Sequence, residues 1–103
     1  MSRPKWLAGR DLGPTALAHW KQRAPTLFKS GYLREKNADR LRAACRMLAA
    51  ADMAAAEIEA SGVVIGTGSG GKKQNPAVMI LVRSQAEATK LLNEFEYSVI
   101  PRF

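Results

Sequence analysis

The chain has 103 residues, which suits one small domain whose modest core is often completed by association between subunits. Its 16 Lys and Arg outnumber its 9 Asp and Glu, and the resulting net charge of +7 favours a polyanionic partner such as nucleic acid. A single cysteine excludes an intramolecular disulfide, the lack of a Cys or His cluster excludes the usual zinc sites, and no apolar run approaches the roughly 18 residues that a membrane span requires.

The first 13 residues are interpreted as a basic lead-in arm, and residues 14–103 are predicted to form a single helical domain. Within the arm, Trp6 and Leu7 are apolar and are expected to pack against later helices, while the basic side chains stay in solvent. Because the arm has little apolar content of its own, we expect it to be only partly ordered.

A first helix is predicted over about residues 14–30. Gly13 and Pro14 suit its entry, because proline at the first helical position lacks only an amide hydrogen that has no intrahelical partner there. Pro25 lies inside the helical pattern, where it removes a backbone donor. We therefore expect Pro25 to kink or split this helix before Gly31 ends it.

The longest helical pattern covers about residues 37–60 and is rich in alanine. Its apolar residues recur at steps of three and four, so they share one seam: Leu41, Ala44, Leu48, Ala51, Ala55 and Ile58. Alanine on half of the seam permits close approach of another helix. The seam is therefore predicted to pack helices within the chain or between subunits, and the sequence leaves both open. Asp52 and Glu59 flank it, where Arg40 or a base from another subunit is expected to pair with them.

The next segment, GVVIGTGSGGKKQNP over residues 62–76, approaches the spacing of a phosphate-binding loop. Such a loop needs a hydroxyl after its lysine to hold magnesium, and it opens directly into a helix. Here Lys73 stands at the hydroxyl position, and Pro76 marks a helix that begins several residues late. We therefore predict that the segment does not bind a nucleotide.

A loop or short hairpin over residues 62–75 accounts better for this composition. Its strands are expected at residues 63–65 and 72–74, joined by glycines that tolerate positive φ. Lys72 and Lys73 would then either touch phosphate from the tip of the hairpin or only keep the loop in solvent.

A third helix is predicted over about residues 76–96, with Asn75 as its N-cap. Arg83 and Glu87 are spaced for an i,i+4 ion pair on its outer face. Six apolar residues are assigned to its inner face: Ile80, Leu81, Ala88, Leu91, Leu92 and Phe95. Together the patterns predict a mainly α fold: a small bundle of about three helices, with a glycine-rich hairpin or loop before the last helix. The bundle is expected to oligomerise.

No catalytic residue is predicted. His19 flanks a helix with no acidic residue in its neighbourhood, so no partner orients it as a base. Cys45 lies beside the seam and is expected to be a small buried thiol rather than a nucleophile. We therefore expect a cytosolic protein that is not an enzyme and uses neither a metal nor a cofactor.

The basic residues are concentrated toward the front of the chain. Up to Arg46 there are 11 basic and 3 acidic residues, whereas from Met47 onward there are 5 basic and 6 acidic residues. Acidic residues at steps of three and four among the bases also fit an ordinary salt-bridged solvent face. The excess of bases favours phosphate binding instead. The predicted contacts are Lys36, Arg40, Arg42 and Arg46, with Lys72 and Lys73 as secondary contacts.

Five features follow one another along nearly the whole chain: a Pro-Xaa-Trp-Leu start (Pro4, Trp6, Leu7), a Trp-containing helix with a following Pro (Trp20, Pro25, Leu27, Gly31), a long helix carrying a Cys (Asp39, Leu41, Cys45), an apolar glycine-rich hairpin (Gly62 to Val64, Gly70, Gly71) and an Asn-Pro helix ending Glu-Phe (Asn75, Pro76, Glu94, Phe95). In this order and spacing the chain resembles phage terminase small subunits. Its basic leader is shorter than is usual in that family, and its tail after Phe95 differs from the usual Phe-Gly-Leu-Thr-Pro.

The resemblance implies a component of a viral genome-packaging motor in the host cytoplasm. Such a subunit forms a ring, recognises double-stranded viral DNA and delivers it to the terminase large subunit, which is the ATPase and nuclease; it implies no catalytic residue and no membrane. Two other interpretations stay open. One is a basic helical transcriptional regulator, which would need a short helix-turn-helix, and the other is an adaptor that binds only protein.

Overall fold

A computed structural model describes residues 4–68 and 70–97, apart from the side chains of residues 96 and 97; the divergent tail over residues 98–103 lies outside the described residues. The elements in chain order are a 3-10 turn at Lys5–Ala8, α1 at Pro14–Lys29, a second 3-10 turn at Glu35–Asn37, α2 at Ala38–Ser61, β1 at Val64–Gly66, β2 at Lys72–Gln74 and α3 at Pro76–Tyr97. The predicted mainly α fold with three helices is therefore confirmed. No helix in the described part of the chain has the length and apolar content to cross a membrane.

Helix α1 continues through Pro25 without interruption, so the expected split does not occur. Pro25 removes only one backbone donor, and packing on both sides of it holds the helix together. Trp20 is 1% exposed, and Phe28 packs against the core on the other side of the proline. The helix ends where Gly31 takes a φ of 82° and donates its amide hydrogen to the Phe28 carbonyl.

The described part of the lead-in is packed into the core. The Trp20 Nε1 donates a hydrogen bond of 2.7 Å to the Leu7 carbonyl, and Leu7 is buried. Trp6 meets Phe28 edge to face, with ring centroids 5.8 Å apart. Gly9 turns the chain with a φ of 65°, and it lies so close to Trp20 that a Cβ there would approach Cδ1 to 2.8 Å. Glycine at this position therefore lets the lead-in pack directly on the indole.

Helices α2 and α3 pack antiparallel along their length, joined by the antiparallel pair of β1 and β2. Asn75 is the N-cap of α3, as predicted, because its Oδ1 accepts a hydrogen bond of 3.0 Å from the Ala77 amide. At the other end of the pair, Arg40 Nη1 lies 3.1 Å from Glu94 Oε2. Apart from Phe95 near the end of α3, the buried residues assigned to this contact are small: Ala44, Ala51 and Ala54 on α2, and Ala77, Ser84 and Ala88 on α3.

The inner face of α3 differs from the prediction at Ile80, which is 50% exposed. Buried positions instead recur as Ala77, Ser84, Ala88 and Phe95, at steps of four and seven residues that keep one seam toward α2. Ile80 falls outside this seam, on the flank of the helix. The predicted inner face is therefore wrong at Ile80, near the start of α3, where the small residues Ala77 and Ser84 are buried instead.

The molecule has two ends of different character. The core end, residues 4–52 and 88–95, contains the lead-in, α1, most of α2 and the last turns of α3, and its largest fully buried side chains are Trp20, Leu33, Leu41 and Cys45. The hairpin end, residues 53–87, contains the last turns of α2, the two strands and the first half of α3. The main hydrophobic cluster lies entirely in the core end.

Candidate nucleic-acid interface

The turn that leads into α2 presents basic side chains to solvent. Asn37 fixes this turn, because its Oδ1 accepts a hydrogen bond of 2.7 Å from the Arg34 amide and its Nδ2 donates one of 3.0 Å to the Tyr32 carbonyl. Arg34 and Lys36 are exposed and form no ion pair with any residue that the structure describes. Arg40 follows on the first turn of α2. Its side chain is 65% exposed and pairs with Glu94.

Arg42 has a different environment, since its side chain is only 16% exposed. Its guanidinium lies over Trp20, 5.4 Å from the ring centroid, and its Nη2 donates a hydrogen bond of 3.1 Å to the Trp6 carbonyl. Its Nη1 pairs with Asp39 at 3.0 Å, and its Nε lies 3.3 Å from Asp11. These partners hold the lead-in and α1 on α2, so Arg42 is a poor candidate for a phosphate contact despite its charge.

Arg46 is half exposed and shares Asp11 with Arg42. Its Nη2 lies 3.3 Å from Asp11 Oδ2, while the other carboxylate oxygen faces Arg42. Sequence spacing gave no sign of this arrangement, because Asp11 lies in the lead-in, 35 residues before Arg46. The Asp11 carboxylate therefore lies beside the Arg46 guanidinium, where it would compete with a phosphate.

Lys72 and Lys73 are exposed on β2, where they face Gly66 and Ile65 of β1 across the pair. They belong to the hairpin end, while Lys36 and Arg40 lie where α2 starts. The 24 residues of α2 place these two groups about 36 Å apart. The structure therefore does not bring the predicted basic residues into one patch, and Lys72 opens a strand rather than the helix that a phosphate-binding loop requires.

The predicted seam of α2 is distributed over several environments. Leu41, Ala44 and Ala51 are buried, and of these three Leu41 belongs to the main core. The other three predicted seam residues, Leu48, Ala55 and Ile58, are half-buried. Much of the seam thus packs helices within the chain.

The expectation that His19 has no acidic neighbour is wrong. Its Nε2 lies 2.6 Å from Asp52 Oδ2, and Arg23 Nη1 lies 3.4 Å from the other ring nitrogen. Asp52 is 33 residues away in the sequence, and only the packing of α1 on α2 brings the two together. Of the two partners considered for Asp52, Arg40 instead pairs with Glu94, and the imidazole of His19 links α1 to α2 through Asp52.

Cys45 is buried, as predicted. Burial raises the pKa of its thiol from 9.0 to about 11, with the nearby Arg23 cation acting in the opposite direction. The reactive thiolate is therefore scarce at neutral pH. Within the described ranges, no group of three or more His, Cys, Asp or Glu side chains is placed to hold a metal ion.

Comparison with known proteins connects this architecture to one family. A family model described as "Phage terminase, small subunit" matches residues 16–99, which is most of the chain. Neither the comparison with curated proteins nor that with solved structures finds a match. The match includes α1 from Ala16 onward, both strands, α2 and α3.

Proposed function

Because the chain belongs to the phage terminase small subunit family, we propose that it is the non-catalytic, DNA-binding subunit of a genome-packaging motor. In this role it assembles into a ring, binds double-stranded viral DNA and delivers it to the terminase large subunit in the host cytoplasm. The large subunit carries the nucleotide hydrolysis and the DNA cleavage, so this chain needs neither a cofactor nor a metal.

The observation that carries the DNA-binding part is the exposed basic turn at the start of α2. Arg34, Lys36 and Arg40 are exposed within seven residues of chain whose backbone Asn37 fixes, and these three bases outnumber the two exposed acids there, Glu35 and Asp39. Lys5 and Arg10 of the lead-in are exposed at the same end of the molecule. Such a cluster attracts phosphates through counterion release and does not require contacts with base edges.

The surrounding basic residues are ranked by their partners in the fold. Arg46 is a conditional contact, because Asp11 competes with phosphate for its guanidinium. Arg42 is assigned to the fold, and Lys72 and Lys73 form a second, distant basic site on the hairpin. In a ring, that second site would meet DNA only where the hairpin end lines the path of the duplex.

The test is the salt dependence of binding to a short DNA duplex. The Lys36→Ala/Arg40→Ala variant should bind more weakly, and the logarithmic salt slope should fall by roughly 0.9 for each lost phosphate contact. Lys90→Ala, an exposed lysine on α3, is the matched control and should leave the slope unchanged. An unchanged slope in the double variant would refute the assignment to this turn, and no retention of DNA by the native chain at about 50 mM salt would favour the protein-only adaptor.

Native mass spectrometry with and without duplex tests the assembly. A ring gives one closed stoichiometry of several subunits, whereas a transcriptional regulator of the helix-turn-helix type gives a dimer on a palindromic site. A dimer with a footprint on a short palindrome would overturn the packaging assignment.

A further inference from the structure

The hairpin end carries large apolar side chains on its outside. Met53 is 61% exposed, Val82 56% and Met79 44%, and Val63 and Val64 of the strand region are also more than half exposed. Single exposed apolar residues are ordinary, but a group of them at one end of a small protein marks a contact surface. This end buries mainly alanines and a serine between its two helices. The exposed apolar residues named above are therefore largely uncovered by the described chain.

On α2, the exposed surface continues a stripe that is buried in the core end. Ala38, Cys45 and Ala49 lie under the lead-in and α1, and the same stripe runs on beyond the start of α1. Its uncovered part, the α2 stripe, consists of Met53, Ala56 and Ala60, all exposed. A shallow cavity of about 290 Å³ adjoins it at Met53, where α1 begins over Ala49.

On α3, Met79, Val82 and Ala86 form the α3 stripe on the side that faces away from α2. They lie at steps of three and four residues, so they share one face. Arg83 lies beside them, exposed and without an ion pair to any residue in the described ranges, and the pair with Glu87 expected from the spacing is not formed. The α3 stripe is thus bulky, apolar and flanked by a cation.

The two stripes complement each other in size and charge. The α2 stripe is mostly alanine, and the exposed acids Glu57 and Glu59 lie next to it. No Lys or Arg occurs between residues 47 and 71. Small side chains with acids on one helix therefore match large side chains with Arg83 on the other.

The two stripes also lie at the same level along the axes of α2 and α3. Because α2 and α3 are antiparallel, the end of α2 and the beginning of α3 are side by side at the hairpin end. A rotation about an axis along the helix pair would bring the α3 stripe of one copy against the α2 stripe of the next without a shift along the helices. Such a head-to-tail contact repeats around a closed ring, whereas a contact between two identical faces stops at a dimer.

From these observations we infer that the α3 stripe of one copy docks on the α2 stripe of the next copy, with Arg83 facing one of the two acids, Glu57 or Glu59, that flank the α2 stripe on opposite sides. Met79 or Val82 enters the cavity beside Met53. This inference rests on the proposed ring-forming function and assigns its subunit contact to two different surfaces of the chain.

Two variants test it, one for each stripe. The α3-stripe variant is Val82→Glu/Arg83→Glu, and the α2-stripe variant is Ala56→Glu/Ala60→Glu; all four positions are exposed. Each variant alone should lose assembly and give the mass of a monomer in native mass spectrometry and light scattering. Mixed together, they should form a one-to-one dimer and nothing larger, because each supplies the stripe that the other lacks. The dimer itself demonstrates that both variants fold.

The matched control, Lys21→Glu/Gln22→Glu, changes exposed residues of α1 and should assemble like the native chain. Native-like assembly of the α2-stripe variant, with loss only in the α3-stripe variant, would overturn the inference in favour of contact between two α3 stripes. Native-like assembly of both variants would overturn it as well. DNA binding is measured in the same samples, so a native ring that ignores DNA would refute the proposed function separately from the subunit contact.

Discussion

The core end and the hairpin end use apolar side chains in opposite ways. The core end buries its large residues, such as Trp20 and Leu41, and exposes most of its charged side chains, with Arg42 as an exception. The hairpin end buries alanine and serine between α2 and α3 and turns Met53, Met79 and Val82 outward. Burial of large apolar groups is the main stabilising contribution in folding and in association. The core end therefore stabilises the folded chain, and we infer that the exposed apolar surface of the hairpin end contacts a second copy.

The largest expected effect comes from removing the central indole of the core end. Trp20→Ala should lower the free energy of unfolding by about 3–5 kcal/mol, because a large buried side chain is replaced by a cavity. Met53→Ala, at the hairpin end, should change it by no more than about 0.5 kcal/mol, since Met53 is exposed in the single chain. Chemical denaturation at concentrations where the protein is monomeric measures both values. Equal losses of unfolding free energy in the two variants would contradict the difference between the core end and the hairpin end.

A smaller loss is expected from Gly9→Ala. The backbone at Gly9 has a φ of 65°, and the new Cβ would lie 2.8 Å from Trp20 Cδ1, so the strain and the displacement of the indole should together cost about 1–3 kcal/mol. Gly66→Ala at the hairpin end is the control, because no heavy atom lies within 4 Å of the position and its φ is not positive. Thermal unfolding should separate the two variants clearly. A native-like melting temperature for Gly9→Ala would show that the lead-in is not held against Trp20.

Features that depend on neighbouring residues could be predicted from the sequence. Asn75 carries its own capping oxygen, the alanine-rich pattern defines α2 to within a residue at each end, and Cys45 lies beside an apolar seam. These elements depend on interactions within a few residues of chain, which hydrophobic periodicity and capping preferences encode directly.

Features that depend on distant parts of the chain could not. His19 and Asp52 are 33 residues apart, and Asp11 and Arg46 are 35 apart, so no local spacing predicts either pair. Ile80 was misplaced for a different reason. Hydrophobic periodicity finds the apolar residues on one side of a helix, but it does not show which of them the neighbouring helix covers, and Ile80 lies on the flank of the seam toward α2.

A third prediction concerns the thiol in the core end. Burial raises the pKa of Cys45 above its value in the unfolded chain, 9.0 against about 11, so the folded state favours the protonated thiol. The resulting stabilisation is fully present below about pH 9 and is lost as the pH rises toward 11. The unfolding free energy of the native chain should therefore fall more steeply over this range than that of Cys45→Ala. Subtracting the unfolding free energy of one protein from that of the other at each pH removes the contribution of Lys and Tyr titration. Parallel pH profiles would contradict the raised pKa of the buried Cys45 thiol.

The smallest effect on stability is expected from Asp11→Asn. This substitution separates the contribution of charge from that of packing within the core end, because it removes the charge and keeps the size of the side chain. Asp11 is half exposed, so its pairs with Arg42 and Arg46 contribute little, and the unfolding free energy should fall by less than about 1 kcal/mol. DNA binding should change in the opposite direction, because Arg46 then loses its competitor and becomes free for a phosphate. The logarithmic salt slope should steepen by roughly 0.9, which is the value for one added contact with duplex DNA. Asp11→Asn/Arg46→Ala is the decisive control: the added slope should disappear in it, whereas a gain that persists without Arg46 would assign the contact to another base.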